Sequence, residues 1–387
     1  MGKTNPQERH VGLLVETDDS WGRNVVAAVC AVARNSGWTL LFGPRDDQGR
    51  LRLPKNWNGD GVIASLRTPS LVRHVMKQEL PVVDVSLMVP KADWFARVAT
   101  DDAARAHMAF QHLHSHGLTN FACYAPPIRR YSDGRAEAFE KVVTDAGFKC
   151  HTYQANSRDD MGWLANHGNA LRWLKRLPRP LAIFAADPYP ARQLIEICAA
   201  SGMRCPDDIA ILSGDDDELL CNAALPQISA VELASHRIGE TAAHLLARMM
   251  NGAAIPQKTT LIPPLGVKAR HSTDLLAMAD EEINEILRFM RDRALDRITV
   301  GDVLREFPIS RRRLEQRFRS ELNRSPAEEI RRVRMEYICR LLLDTERSIG
   351  SIALSAGFAT GASLAQAFKQ QMGKTPSDFR KAKRVVS

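Results

Sequence analysis

Apolar runs and amphipathic stretches alternate along residues 10–273. Val11 to Glu16 reads as a strand buried on both faces. Trp21 to Ser36 follows as a helix with Val25, Val29 and Val32 on one side. Thr39–Phe42, Gly61–Ser65, Pro81–Ser86 and Arg97–Thr100 predict further strands, separated by helical segments. After Gly117 the alternation restarts. It predicts strands over Phe121–Ala125, near Cys150, over Leu181–Ala185 and over Ile209–Ser213, with helices over about Arg135–Ala146 and through Ile195–Ala200. Strands alternating with helices imply parallel sheets covered on both faces. One open sheet rarely needs so many elements, so the expected fold is an α/β two-lobed unit over residues 8–275.

Past a linker expected over 276–284, the period becomes helical throughout residues 285–387. Val300, Val303, Leu304 and Phe307 share one helix face, Thr299 with Asp302 forms a capping-box pattern, and Pro308 stops the helix. Ser310 caps a second helix with Leu314, Phe318 and Leu322 at spacings of four. Its other faces carry Arg311, Arg312, Arg313, Gln316, Arg317 and Arg319. A short helix, a tight turn and a strongly basic helix make a helix-turn-helix pattern. Asn323 ends that helix, and Ser325-Pro326 with Glu328 opens a long one running to about Leu343.

The same grammar returns fifty positions later. Leu364, Phe368 and Met372 repeat Leu314, Phe318 and Leu322; Gly373 repeats Asn323; Thr375-Pro376 with Asp378 repeats Ser325-Pro326 with Glu328. Ile349, Ile352, Ala353 and Ala356 supply the preceding short helix, and Gly357 its turn. The expected domain is all-α with two helix-turn-helix units.

Charge sharpens this picture. The chain of 387 residues has a net charge of +8. Residues 284–387 hold 22 Lys and Arg against 13 Asp and Glu, leaving 31 against 32 for the rest. All the excess positive charge sits in the helical domain, as a nucleic-acid reader requires. No apolar run reaches the length of a membrane span, and the polar N-terminus lacks a secretory pattern. Seven scattered cysteines without a CxxC cluster suggest reduced thiols. A cytoplasmic protein with no membrane association is expected.

Residues 284–384 resemble the arabinose-regulator (AraC/XylS-type) DNA-binding domain. The resemblance is carried by Ile352-Ala353, Gly357-Phe358, Leu364, Phe368-Lys369, Gly373, Thr375-Pro376 and Phe379-Arg380. A helix over Pro326–Leu343 would be about 27 Å long and would set two recognition helices about one DNA turn apart. In the first, Arg312, Arg313 and Gln316 are candidate base contacts, with Arg311 and Arg319 beside them. In the second, Ala362, Ser363, Gln366 and Lys369 are the candidates. The first unit should dominate affinity and salt dependence, because the second offers one charge.

The N-terminal region resembles the sugar-sensing core of lactose-repressor-type regulators and periplasmic sugar-binding proteins. The carrying segments are Arg135-Ala136-Glu137-Ala138-Phe139, Phe184-Ala185-Ala186-Asp187, Pro206 to Asp216 and Arg270-His271-Ser272-Thr273. A sensor core first and a double helix-turn-helix last is similar to the xylose-regulator (XylR) type of activator. Ligands in such folds sit at the carboxyl ends of strands, between the lobes. Asp18, Asp84, Asp101, Asp187 and Asp215 follow strands, and the resemblance places Arg135 in the same cleft. Trp21, Trp94 and Tyr124 are candidates to stack on a sugar ring.

Asp215 to Glu218 and the set His112, His114 and His116 lack the convergence a metal needs, and the histidines read as a solvated helix end. No catalytic motif and no cofactor motif occurs. The expected function is a transcription regulator, an activator controlled by a small sugar such as a pentose. Its expected partners are double-stranded DNA, a second copy of the chain as a homodimer, and RNA polymerase. The alternative keeps the DNA reader and makes the sensor-like domain a dimerisation or protein-interaction platform.

Overall fold

The strand-helix alternation is realised as β1 (Arg9–Leu14), α1 (Ser20–Ser36), β2 (Trp38–Phe42), β3 (Gly61–Ala64), α2 (Pro69–Met76), β4 (Val82–Asp84) and β5 (Ala96–Thr100). It continues as α3 (Asp102–Ser115), β6 (Asn120–Tyr124), α4 (Gly134–Asp145), β7 (Cys150–Thr152), α5 (Trp163–Leu174), β8 (Leu181–Ala185), α6 (Pro188–Ala200), β9 (Ile209–Ser213), α7 (Glu218–Ala223) and β10 (Ser229–Glu232). The unit ends with α8 (Ser235–Met250), β11 (Thr260–Ile262), β12 (Gly266–Lys268) and a 3-10 turn at His271–Thr273. The computed structural model describes residues 9–128, 130–154, 163–274, 281–293, 296–322, 324–344, 347–372 and 375–384. The chain divides into two units between Leu275 and Leu276.

The first unit is α/β, built on two six-stranded sheets ordered β11-β5-β4-β3-β1-β2 and β12-β10-β9-β8-β6-β7. Among the described strands only the β10–β12 pairing is antiparallel. Strands β3, β5, β8 and β9 are buried along their whole length, which explains the unbroken apolar character of β3 and β8; β5 and β9 also bury Arg97, Thr100 and Ser213. The chain crosses between the sheets three times, after β5, after β10 and after β11. Helix α8 therefore belongs to the first lobe and packs on α1. There Gly239 matters: a Cβ on it would lie 2.3 Å from the Val25 carbonyl oxygen.

Helices α9 (Glu281–Asp292), α10 (Val300–Glu306), α11 (Arg311–Leu322), α12 (Pro326–Asp344), α13 (Ile349–Ser355), α14 (Gly361–Met372) and α15 (Pro376–Arg384) form the second unit. Residues 281–284, expected as linker, are the first turn of α9. Ile283, Ile286, Leu287 and Met290 on that helix are buried with Val303, Leu314 and Phe318. A separate core joins Ile338 and Leu342 of α12 to Ile352, Leu364 and Phe368. Helix α12, 19 residues long and thus roughly 28 Å, contributes to both.

The repeat is visible atom by atom. Thr299 and Asp302 close a capping box, Glu328 accepts from Ser325 N at 2.6 Å, and Asp378 accepts from Thr375 Oγ1 at 2.6 Å. Leu314, Phe318, Leu364 and Phe368 are all fully buried. The repeat fails at its end, where Leu322 is partly buried and Met372 is exposed. Asn323 and Gly373 lie outside the described residues. Gly357 turns in the left-handed region at φ 83°, with the Arg297 side chain packed where a Cβ would stand.

Candidate functional site

Between the lobes lies an open cleft enclosing about 530 Å³ of space, part of it continuous with solvent. The first lobe supplies Asp19, Trp21, Arg67 and an apolar wall including Val85 and Met88. From the other side come Asp102, Arg105, Arg130, Arg135, Asp187 and Asp215. Four arginines thus face four aspartates.

Each charge is placed by a strand end or a helix start. Asp187 follows β8 and caps α6, accepting from Tyr189 N at 3.1 Å. Arg135, in the first turn of α4, donates through Nη1 to Ala186 O at 2.6 Å and to Asp215 Oδ2 at 3.1 Å. Arg105, 1% exposed, lies 3.3 Å from Asp102 Oδ1 and 3.4 Å from Asp215 Oδ1.

Several of these pairs are close in charge but poor in hydrogen-bond geometry. Arg105 Nε and Nη1, Arg130 Nε, Arg135 Nε, Asp102 Oδ1 and Asp215 Oδ1 are buried and make no hydrogen bond among the described residues. Buried polar atoms are nearly always satisfied, and these six gather in one cleft. Burial and the Asp215 charge raise Asp187 to about 6 despite Arg130 and Arg135. Burial also opposes ionisation of Asp215, yet Arg105 and Arg135 together hold it below its ordinary value.

Two contacts join the lobes at the cleft mouth. Arg130 donates to Asp18 Oδ2 and Asp19 Oδ2, both at 2.8 Å, and its guanidinium lies 4.4 Å over the Tyr189 ring. Asp217 caps α7 and accepts from Ser20 N of the first lobe at 2.8 Å. The residue between the two acids has a third task. Asp216 accepts from Arg270 Nη2 at 2.7 Å and pairs with Lys268 at 3.3 Å. It thereby fixes the segment by which the chain leaves the first unit. That segment is held again by Thr273 Oγ1, which donates to Ser229 Oγ at 2.7 Å and lies 2.8 Å from His112 Nε2.

Of the residues expected in the cleft, Trp21, Arg135, Asp187 and Asp215 line it, and Asp18 holds its mouth. Two acids do not belong. Asp84 is fully buried inside the first lobe, paired with Arg97 at 2.9 Å and accepting from Leu66 N and Ser86 N. Asp101 caps α3 through Ala104 N at 3.0 Å, and its neighbour Asp102 lines the cavity instead. Neither stacking candidate Tyr124 nor Trp94 lines the cavity. Tyr124 is core, bonded to Gln193 at 2.6 Å, and Trp94 packs edge-on against Phe95. His112 is not at a solvated end either, since burial lowers it to about 4.

Arg105, Asp102, Asp19 and Arg130 escaped the sequence reading. Arg105 did leave a signal: it occupies an otherwise apolar helix face with Ala109 and Leu113. Among the described residues no three His, Cys, Asp or Glu side chains gather as a metal would require. No described helix is long and apolar enough to cross a membrane.

In the second unit Arg311, Arg312, Arg313, Gln316 and Arg319 are exposed along α11. Arg317 instead turns back to pair with Glu282 of α9. On α14, Ala362, Gln366 and Lys369 are exposed. Ser363 is committed to the helix cap, donating to Thr360 O at 2.8 Å. One recognition helix is strongly cationic and the other nearly neutral.

Residues 110–273 match the periplasmic binding protein-like domain family, and residues 303–382 match a helix-turn-helix domain family. The chain is 31% identical over 327 residues to the xylose operon regulatory protein of Haemophilus influenzae, covering 83% of this chain and 84% of that one. It is 28% identical to the protein of the same name from Escherichia coli K12, covering 96% and 97%. A solved structure described as the xylose-binding transcription activator xylR aligns with a TM-score of 0.73 and 26% identity over 97% of this chain and 98% of that chain.

The raised Asp187 has a consequence for stability. Its folded pKa near 6 exceeds the ordinary 3.8, so ionisation disfavours the folded state once the pH passes 3.8, with the full effect above about 6. Asp187→Asn keeps the helix cap and removes the titration. Measured by urea denaturation, the stability of this variant relative to wild type should rise by on the order of 3 kcal/mol between pH 4 and pH 7. A difference independent of pH would exclude an elevated Asp187.

Proposed function

Because the chain belongs to the family of xylose operon regulatory proteins, we propose that its cleft binds a small neutral polyol, a pentose such as xylose, and that this effector controls DNA engagement by the second unit. The chain is a DNA-binding transcription regulator of the xylose-regulator type, not an enzyme.

The observation that carries the effector reading is the set of six hydrogen-bond-deficient atoms in the cleft. Half-satisfied guanidinium and carboxylate groups alternate there, and a sugar hydroxyl both donates and accepts. Hydrogen bonds to charged partners are the strong ones. Equal numbers of arginines and aspartates favour an uncharged ligand over an anion or a cation. Trp21 supplies a half-buried aromatic surface against the sugar's apolar face.

Transmission runs through three consecutive acids. Asp215 meets the effector, Asp217 ties the second lobe to the first, and Asp216 grips the exit toward the DNA reader. A ligand that favours one lobe geometry therefore acts on the exit segment through a single loop. We read the regulator as an activator working as a homodimer on spaced half-sites, with RNA polymerase as its partner. Arg312, Arg313 and Gln316 read bases in the first unit, and the second adds weaker contacts from Ala362, Gln366 and Lys369.

Titrating D-xylose into the full chain should raise its melting temperature progressively. Arg105→Met should weaken that binding by roughly 1.5–3 kcal/mol. If no pentose or hexose moves the transition, the cleft is not an effector site and the sensor serves as an interaction platform.

Asp216→Asn should bind D-xylose normally yet lose most of the sugar-induced change in DNA affinity. Parallel loss of both would reassign Asp216 to general support of the lobe.

Arg312→Ala should weaken operator binding by roughly 1–3 kcal/mol and relax the preference at one base pair. An unaltered footprint and affinity would remove Arg312 from the interface.

A further inference from the structure

A second group of arginines in the DNA-binding unit lies apart from the recognition helices' exposed rows. An open groove of about 800 Å³ runs between the start of α10 and the first half of α12. Ile298 and Ile330 are buried beneath it, and Arg311, Arg331 and Arg334 line it. Arg331 and Arg334 are three residues apart on α12 and so share a face.

Of these cations Arg334 is the least compensated. Among the described residues Arg334 reaches only the Ile298 carbonyl, at 3.4 Å, and its Nε is buried without a hydrogen bond. Burial and the neighbouring charge of Arg297 both disfavour its ionised form. The nearby acids are occupied. Glu328, one turn before Arg331, accepts from Ser325 N and Oγ in the cap of α12. Asp302 accepts from Thr299 and Arg305. Glu315 pairs with Arg311 at 3.2 Å on an exposed face.

Arg311 belongs both to this groove and to the first turn of α11. The groove therefore continues the surface that α11 presents, where a duplex seated on α11 would bring its sugar-phosphate strand. Guanidinium groups match phosphate oxygens in geometry as well as charge. We propose that the groove seats a phosphate of the DNA backbone, with Arg331 and Arg334 as its ligands and Arg311 at the border between phosphate and base edge. This rests on α11 being the helix that enters the major groove, which Arg312→Ala tests separately through base preference. The contact carries no sequence information; it fixes the register in which the bases are read.

The test is fluorescence anisotropy of the full chain with a labelled duplex of arbitrary sequence, repeated across a salt titration. Arg331→Gln and Arg334→Gln should each flatten the slope of log affinity against log salt by about 0.9, the value for one lost phosphate contact. The ranking of different duplex sequences should stay the same. Arg334→Lys keeps the charge and should restore most of the slope. A wild-type slope in Arg331→Gln overturns the proposal, and exposed Arg331 can be changed without risk to the core. A loss in Arg334→Gln that lysine does not restore also overturns it, because Arg334 would then only brace Ile298.

Discussion

The sensor unit depends on burying opposite charges between two lobes without fully satisfying them. Desolvating a guanidinium or a carboxylate is expensive unless its partners are close and well aligned. Arg130 meets that condition with two contacts at 2.8 Å to the first lobe. Arg105 does not, standing 3.3 and 3.4 Å from its aspartates with poor geometry. The cleft is thus well paired at its mouth and under-paired at its base. Contacts at the rim hold the lobes together, and on the reading proposed above a polyhydroxylated ligand relieves the deficit within them.

The DNA-binding unit divides its work differently. The cores of its two halves share one repeated pair, Leu314 and Phe318 in one and Leu364 and Phe368 in the other, while α9 adds Ile283, Ile286, Leu287 and Met290 to the first alone. Their surfaces diverge, one crowded with arginines and one carrying little charge. The repeated Leu–Phe pair anchors α11 in one core and α14 in the other, while their exposed faces differ in charge. The exposed positive charge of the two recognition helices sits mainly on α11, and charges so exposed are screened by salt.

Much of this was legible in the sequence, for identifiable reasons. Buried parallel strands leave continuous apolar runs, so Leu181–Ala185 and Ile209–Ser213 were read to the residue. The Ser/Thr-Pro helix starts fixed the repeat because caps are local chemistry. The cleft was harder. An acid after a strand can cap a helix, line a pocket or pair within a lobe, and local sequence is the same in each case. Asp187 caps and lines at once, Asp101 only caps, and Asp84 is absorbed by Arg97 from a neighbouring strand. Arg130 lies in a loop whose neighbours say nothing of the two aspartates it meets more than a hundred residues away. Helix α9 was missed because its apolar face serves a core assembled from later helices.

The acids at 215, 216 and 217 point to three different partners from three adjacent positions. Such a loop has no freedom in length: deleting or inserting one residue would hand each task to the wrong side chain at once. Substitution at each of the three disturbs a different contact: the Arg135 pair at 215, the hold on Arg270 and Lys268 at 216, and the tie to Ser20 at 217. Change in the cleft is therefore least constrained on the opposing wall, where Trp21, Arg67 and Met88 touch the cavity without sharing those duties.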